Sequence, residues 1–306
     1  MNAAIIANPF AGRGRTKRIV EQFLPRAKAL GLSTTFEWTR GPGDGIDLAK
    51  RLSGSHDVLC VIGGDGTIHE AVNGLMPDPI PVVFVPTGSG NDFAKLLPCP
   101  TTPEELLQTL EMGLGYHFDV VETGFRYCIN SIGLGFEALV TQHSRSIHRL
   151  SGVPLYLLAV FKSLASFLNP TLRMAIDDEE MQTGEKLLVS IGNGVSAGGG
   201  FYLTPNACPD DGHVDLCIVS PMGRLRILRL LPLALKGTHT NKRGVEMRRV
   251  TSLTIDSHTP YHLHVDGEYL GEKPWRLRIF VRERVLPILC LRRGPTRAKH
   301  SIVKIL

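Results

Sequence analysis

Several absences narrow the reading of this chain. Its six cysteines (Cys60, Cys99, Cys128, Cys208, Cys217, Cys290) form no CxxC pair and no zinc spacing. Several stand in apolar runs, as buried free thiols do, which points to a reducing compartment rather than a disulfide scaffold. Gly-Lys-Ser/Thr does not occur, which argues against a P-loop nucleotide site. The longest apolar stretch, Val153 to Leu168, is short for a bilayer and carries Lys162 in its middle, so no transmembrane segment is expected. Met1-Asn-Ala-Ala-Ile-Ile-Ala7 has no basic n-region and runs directly into a strand pattern, so no signal peptide is expected either. No internal repeat or low-complexity linker interrupts the chain. No basic helix or aromatic platform accompanies its positive charge, which disfavours nucleic acid as a partner.

What remains is a chain of 306 residues, long enough for one large or two medium domains. It is 43% hydrophobic and 21% charged, a balance that suits a globular protein with a substantial core. The net charge is +5, and the excess gathers near the end at Arg292, Arg293, Arg297, Lys299 and Lys304. Such a tail is either a solvated segment or a patch drawn to anionic lipid or nucleic acid.

The most informative stretch is Val58-Leu-Cys-Val-Ile-Gly-Gly-Asp-Gly-Thr-Ile-His-Glu70. An apolar strand runs into Gly63-Gly64-Asp65-Gly66-Thr67, and a helical pattern follows. Glycines permit positive φ and close approach of a phosphate, and free N–H groups at a helix start favour an anion. Asp65 is out of place in a phosphate cradle unless it holds Mg²⁺ or a substrate hydroxyl. The alternative is an ordinary strand–turn–helix in which Asp65 or Thr67 caps the helix.

In chain order, Ala3 to Ala7 reads as a strand, Thr16 to Leu30 as a helix ended by Gly31, and Leu32 to Thr39 as a strand. Ile46 to Leu52 reads as a helix and Pro81 to Pro86 as another buried strand, leading to Thr87-Gly-Ser-Gly-Asn-Asp92. Alternating strands and helices imply parallel βαβ units, with glycine-rich loops gathered at the carboxyl ends of the strands. After about Phe125 the pattern becomes mostly β. Leu187 to Ile191, His213 to Val219, Ser252 to Asp256, Tyr261 to Val265 and Arg276 to Val281 read as strands, with helices near Val153 to Leu168 and Arg224 to Leu235. The boundaries expected are 1–124 for an α/β domain and 125–285 for a β domain, with 286–306 returning to the first.

Seven blocks in order resemble the diacylglycerol kinase catalytic-domain family, which includes bacterial lipid kinases, sphingosine kinases and ceramide kinases. They are Asn8-Pro9…Gly12, Gly63-Gly64-Asp65-Gly66-Thr67, Pro86-Thr-Gly-Ser-Gly-Asn-Asp92, Asn130-Ser-Ile-Gly-Leu-Gly-Phe-Glu137, Gly192-Asn…Gly198-Gly-Gly200, Pro209-Asp-Asp-Gly-His-Val214 and Asp266-Gly-Glu268. The resemblance spans nearly the whole chain. It implies an N-terminal α/β domain like that of NAD kinases and phosphofructokinases, followed by a C-terminal β-sandwich.

The resemblance also implies roles. Asn8, Pro9, Phe10, Ala11 and Gly12, together with Gly64, Asp65, Gly66, Thr67, Ile68, His69 and Glu70, match ATP-binding segments, as do Thr39 and Ser89. Arg13 or Arg149 would supply the cation that a P-loop lysine supplies elsewhere. Asp65, Asp92 and Asp119 are candidates for a carboxylate–water–Mg²⁺ network. Glu268, with Asp266 second, is the candidate general base; read without the resemblance, the pair is a hairpin turn. A structural Mg²⁺ would rest on Asp211 and the main-chain oxygens of Cys208 and His213; the alternative is an Asp-Gly turn.

The implied activity is ATP- and Mg²⁺-dependent phosphorylation of a membrane-lipid hydroxyl, diacylglycerol by default. Such an enzyme is expected in the cytoplasm, in peripheral contact with anionic phospholipid, and a dimer stays open. Ser89, Gly90 and His69 lean towards the sphingosine-kinase version of the motifs, so a sphingoid base remains an alternative. An NAD kinase shares Gly-Gly-Asp-Gly but not the Asn8-Pro9 or Asp266-Gly-Glu268 blocks. A non-catalytic regulator would not need every candidate acid.

Overall fold

The computed structural model describes residues 1–147, 150, 152–291 and 302–303, and the chain divides into two units, Met1–Val120 with Glu283–Leu306 and Val121–Arg282. Arg149 and the basic tail residues Arg292, Arg293, Arg297, Lys299 and Lys304 lie outside the described residues.

The first unit begins β1 (Asn2–Ala7), α1 (Arg15–Ala29), β2 (Ser33–Trp38), α2 (Asp44–Ser53), β3 (Val58–Gly63), α3 (Asp65–Leu75) and β4 (Val82–Pro86). The four strands are parallel in the order β2-β1-β3-β4. Every residue of β3 is buried, because helices cover both faces of the sheet and leave no room for a polar alternation. Ala3, Ile5, Cys60 and Ile62 pack with Ile19, Val20 and Phe23 of α1. The opposite face meets α2 and α3, which bury Leu48, Leu52, Ile68 and Val72. Helix α4 (Pro103–Met112) and β5 (Leu114–Glu122) follow. Thr102 caps α4 by accepting from Glu105 N at 3.2 Å, ahead of a proline at the first helical position. That capping signature is local to Thr102-Pro-Glu-Glu105, whereas periodicity does not reveal it.

The second unit is built of β6 (Tyr127–Cys128), β7 (Ser131–Gly135), α5 (Phe136–Arg145), α6 (Val153–Ser166), β8 (Thr171–Ile176), β9 (Gln182–Glu185), β10 (Leu188–Gly192), β11 (Val214–Val219), α7 (Arg224–Ala234), β12 (Val245–Val250), β13 (Ser252–Asp256), β14 (Tyr261–Val265), β15 (Glu268–Lys273) and the first part of β16 (Leu277–Cys290). One antiparallel sheet runs β12-β11-β10-β7-β14-β15; the other has β13 between β16 and β8, with β9 at its edge. Between them lies the core. Ile132, Leu134, Val189, Leu216 and Leu263 from one sheet meet Leu172, Met174, Leu253, Ile255 and Ile279 from the other, which makes the unit a β-sandwich. The far side of the first sheet is covered by α5, α6 and α7, so β11 is buried on both faces: Val214, Leu216 and Ile218 face the sandwich, Cys217 and Val219 the helices.

Strand β16 is longer than the Arg276 to Val281 expected. It continues past the left-handed Arg284 into the first unit, where Ile288 pairs in parallel with Val82 of β4. There β17 (Ile302–Val303) pairs antiparallel with β5.

Helices α2 and α3 touch so closely that a Cβ on Gly74 would lie 2.2 Å from Ile46 O and 2.8 Å from Ala49 Cβ. In an exposed helix, Gly→Ala stabilises by about 1 kcal/mol. Here overpacking outweighs propensity, so Gly74→Ala is expected to destabilise by about 1–3 kcal/mol in urea denaturation. A gain in stability would show that the contact is not rigid.

Candidate active site

In the first unit, the strand order reverses between β1 and β3, and ligands of open α/β sheets bind beside such a reversal at the carboxyl ends of the strands. The loop after β1 is locked to the start of α3 by Asn8. Its N–H donates to Ile62 O (3.0 Å), its Nδ2 donates to Thr67 Oγ1 (3.1 Å), and its Oδ1 accepts from Phe10 N (2.9 Å). Beside it, Thr39 N donates to Ala7 O at 2.9 Å.

Backbone packs on backbone among these loops. Gly12 has φ +68°, and a Cβ there would sit 2.7 Å from Thr87 O. A Cβ on Gly88 would sit 2.6 Å from Gly64 Cα. Of the candidate nucleotide contacts, Phe10 (81% exposed) and Ser89 are on the surface, and Pro9, Ala11, Gly64 and Gly66 are partly exposed. Ile68 and His69 are fully buried. Glu70 accepts from Gly43 N (2.7 Å) and Gly45 N (3.0 Å), so its carboxylate holds the start of α2.

Asp65 does not cap its own helix: Gly64 occupies that position, with no side-chain cap. Instead Asp65 Oδ2 accepts from Asn91 N at 2.6 Å, across to the loop after β4, while Oδ1 is buried without a hydrogen-bond partner. Asn91 takes φ +50° to make that bond, and its Nδ2 donates to Gly88 O at 2.8 Å. Burial first, and then the charge of Asp92, push the Asp65 carboxyl up to about 6, against a smaller opposing pull from the amides of Asn91, Phe93 and Asp92. A buried carboxylate oxygen with no donor, next to a second carboxylate, is the donor chemistry that a hard divalent cation requires. Asp65 and Asp92 therefore fit such an ion. Asp92 Oδ1 also accepts from Lys95 Nζ at 2.9 Å. Asp119, fully buried on β5, accepts from Arg284 N at 2.7 Å.

In the second unit, Asp266 and Gly267 form the two-residue turn of the β14–β15 hairpin, both with positive φ (49° and 79°), the form that Asp-Gly favours. The Asp266 carboxylate is engaged on both oxygens. Oδ1 accepts from Asn130 N (2.8 Å), Ser131 N (3.0 Å) and Cys128 Sγ (3.0 Å), and Oδ2 from Ile129 N (3.0 Å). Burial and the charge of Asp266 raise the Cys128 thiol well above its ordinary value, which keeps it protonated as a donor. Glu268, at the start of β15, is partly exposed and accepts from Arg145 Nη2 at Oε2. The two acids of the motif thus differ in kind: one is buried and ties the segment 128–131, the other is partly exposed and bound at one oxygen.

The loop around Asp211 is tied down by an ion pair. Asp211 Oδ2 lies 2.7 Å from Arg249 Nη2, and Oδ1 accepts from His213 N at 3.3 Å. Positive charge is already supplied by the arginine, and the Cys208 thiol donates to Asp210 Oδ1 (3.1 Å).

Because the Asp65 carboxyl sits at about 6 when folded and 3.8 when not, the folded state binds its proton more tightly. Stability is therefore lost as pH rises through this window, and the cost is complete above it. Asp65→Asn keeps an oxygen for Asn91 and removes that cost. In chelator at about pH 7.5 it is expected to exceed the parent by about 1–3 kcal/mol in urea denaturation, with the difference closing near pH 4. A variant less stable than the parent at both pH values would contradict the burial argument.

Residues 2–123 match the family model described as the diacylglycerol kinase catalytic domain, and residues 130–290 match the YegS C-terminal NAD kinase beta sandwich-like domain. A diacylglycerol kinase of Staphylococcus saprophyticus is 32% identical over 276 residues, covering 89% of this chain and 90% of that protein. One from Staphylococcus aureus is 31% identical, covering 89% and 87%. A crystal structure of a Bacillus anthracis diacylglycerol kinase superposes with a TM-score of 0.71 at 20% identity, covering 96% of this chain and 97% of that one, and so shares the fold. By sequence match along both units, the chain belongs to the diacylglycerol kinase family of lipid kinases.

Proposed function

We propose that the protein transfers the γ-phosphate of ATP to the hydroxyl of a membrane lipid, diacylglycerol being the first candidate. The observation that carries this reading is the coincidence of family membership with a glycine-packed loop holding a buried, unpartnered carboxylate oxygen. Phosphoryl transfer asks little covalent chemistry of a protein; it asks for positioning and for charge to be placed before the reaction begins.

Each part has a residue suited to it. The first N–H groups of α3 have no intrahelical acceptor and suit phosphate oxygens. Gly12, Gly64 and Gly88 keep side chains out of that approach. Asp65 and Asp92 would hold Mg²⁺, which supplies neutralisation of the charge on the transferring phosphoryl group. Glu268 accepts the proton of the attacking hydroxyl, leaving Asp266 to hold the turn through its four donors. No helix among the described residues is long and apolar enough to cross a membrane. Access to a lipid is therefore assigned to peripheral contact with an anionic surface.

The test is incubation with radiolabelled ATP and Mg²⁺ against dioleoylglycerol, sphingosine, ceramide and NAD, with products separated by chromatography. Label in phosphatidic acid is expected. Label confined to sphingosine phosphate would keep the chemistry and change the acceptor, whereas label in NADP would overturn the lipid reading. Glu268→Gln is expected to lower kcat by roughly 10²–10⁴-fold with KM for ATP unchanged.

A further inference from the structure

The Asp266-Gly267-Glu268 segment is held more firmly than a hairpin turn requires. Beyond the amides on Asp266, Gly267 N donates to His264 Nδ1 at 3.4 Å, and His264 Nε2 lies 3.2 Å from Glu137 Oε1. An imidazole that accepts at Nδ1 carries its hydrogen on Nε2, so the ring donates to Glu137. Both side chains are buried, His264 at 2% exposure and Glu137 at 9%. They lie against Gly133, where any Cβ would come within 2.2 Å of the ring.

Glu137 stands in the first turn of α5 and Arg145 is its last residue. Positions eight apart share one stripe of a helix. The same helix therefore reaches Gly267 from one end, through His264, and Glu268 from the other, through Arg145. Arg145 Nη2 binds Glu268 Oε2; among the described residues Oε1 has no hydrogen-bond partner.

We propose that Arg145 is a positioning residue for phosphoryl transfer: by holding Oε2 it aims Oε1 of Glu268 at the acceptor hydroxyl. A glutamate on a strand has three rotatable bonds, and an unheld carboxylate at an exposed turn samples several rotamers. A planar, permanently charged guanidinium restrains that freedom. The inference rests on Glu268 as the base.

The experiment is a double-mutant cycle on the full chain, with dioleoylglycerol in phosphatidylglycerol vesicles as acceptor and cosedimentation with the same vesicles as control. Arg145→Ala is expected to lower kcat roughly 10- to 100-fold, the cost of a misplaced reacting group, with KM for ATP and vesicle binding unchanged. Arg145→Lys, which keeps the charge without the fork, should recover part of the loss. In the Glu268→Gln background, Arg145→Ala should add little, because the group it positions is already gone. If the two losses multiply in the double variant, or Arg145→Ala keeps kcat and weakens vesicle binding, the positioning role is overturned while the base stands. If Glu268→Gln itself turns over normally, the base assignment fails, and the role of Arg145 fails with it.

Discussion

Backbone lying directly on backbone is the constraint on which the first unit depends. Gly64 and Gly88 approach so closely that a Cβ on Gly88 would clash with Gly64 and one on Gly64 would be tight, and Gly12 approaches Thr87 as Gly88 approaches Gly64. These contacts fix the loops after β1, β3 and β4 against one another without interposed side chains. Asp65 is thereby brought under the Asn91 amide, and the rest of its carboxylate is sealed from water. A carboxylate so placed weakens the apo protein at neutral pH, because desolvation disfavours the charged form. Strongly shifted carboxyls of this kind cluster at functional sites, which is why Asp65 enters the proposed chemistry.

The second unit uses a carboxylate in the opposite way. Asp266 is buried, yet three backbone amides and a thiol satisfy it, so burial costs little and the charge organises its surroundings. It joins the β14–β15 turn to the segment entering β7, and β7 in turn feeds α5. One acid thus acts as a fastener, and its neighbour two residues on is left with an oxygen to spare.

Much of this was legible in the order of residues. Strands β1, β3 and β4 announce themselves as unbroken runs such as Val82-Val-Phe-Val85, because a parallel strand covered on both faces needs apolar residues at every position. The glycine loops and the acids of the lipid-kinase family are equally visible, since each depends on a few adjacent residues. The sandwich strands at Ser252 to Asp256 and Tyr261 to Val265 were readable from alternation and β-branched content.

Other features depend on partners far away in sequence. Helix α5 was not expected, and with it went Arg145 and Glu137: its apolar residues Phe136, Leu139 and Val140 are short-range ambiguous until α6 and β14 pack on them. Whether Asp65 capped its helix or crossed to another loop rested on Asn91, 26 positions on, adopting a left-handed conformation. That Asp211 pairs with Arg249 rested on a residue 38 positions on, and whether Asp266 or Glu268 was open rested on the amides of 129–131. Local pattern specifies which residues a turn contains, because φ and burial are local preferences. A carboxylate's role is set by which charges and amides surround it, and the tertiary fold alone brings those together.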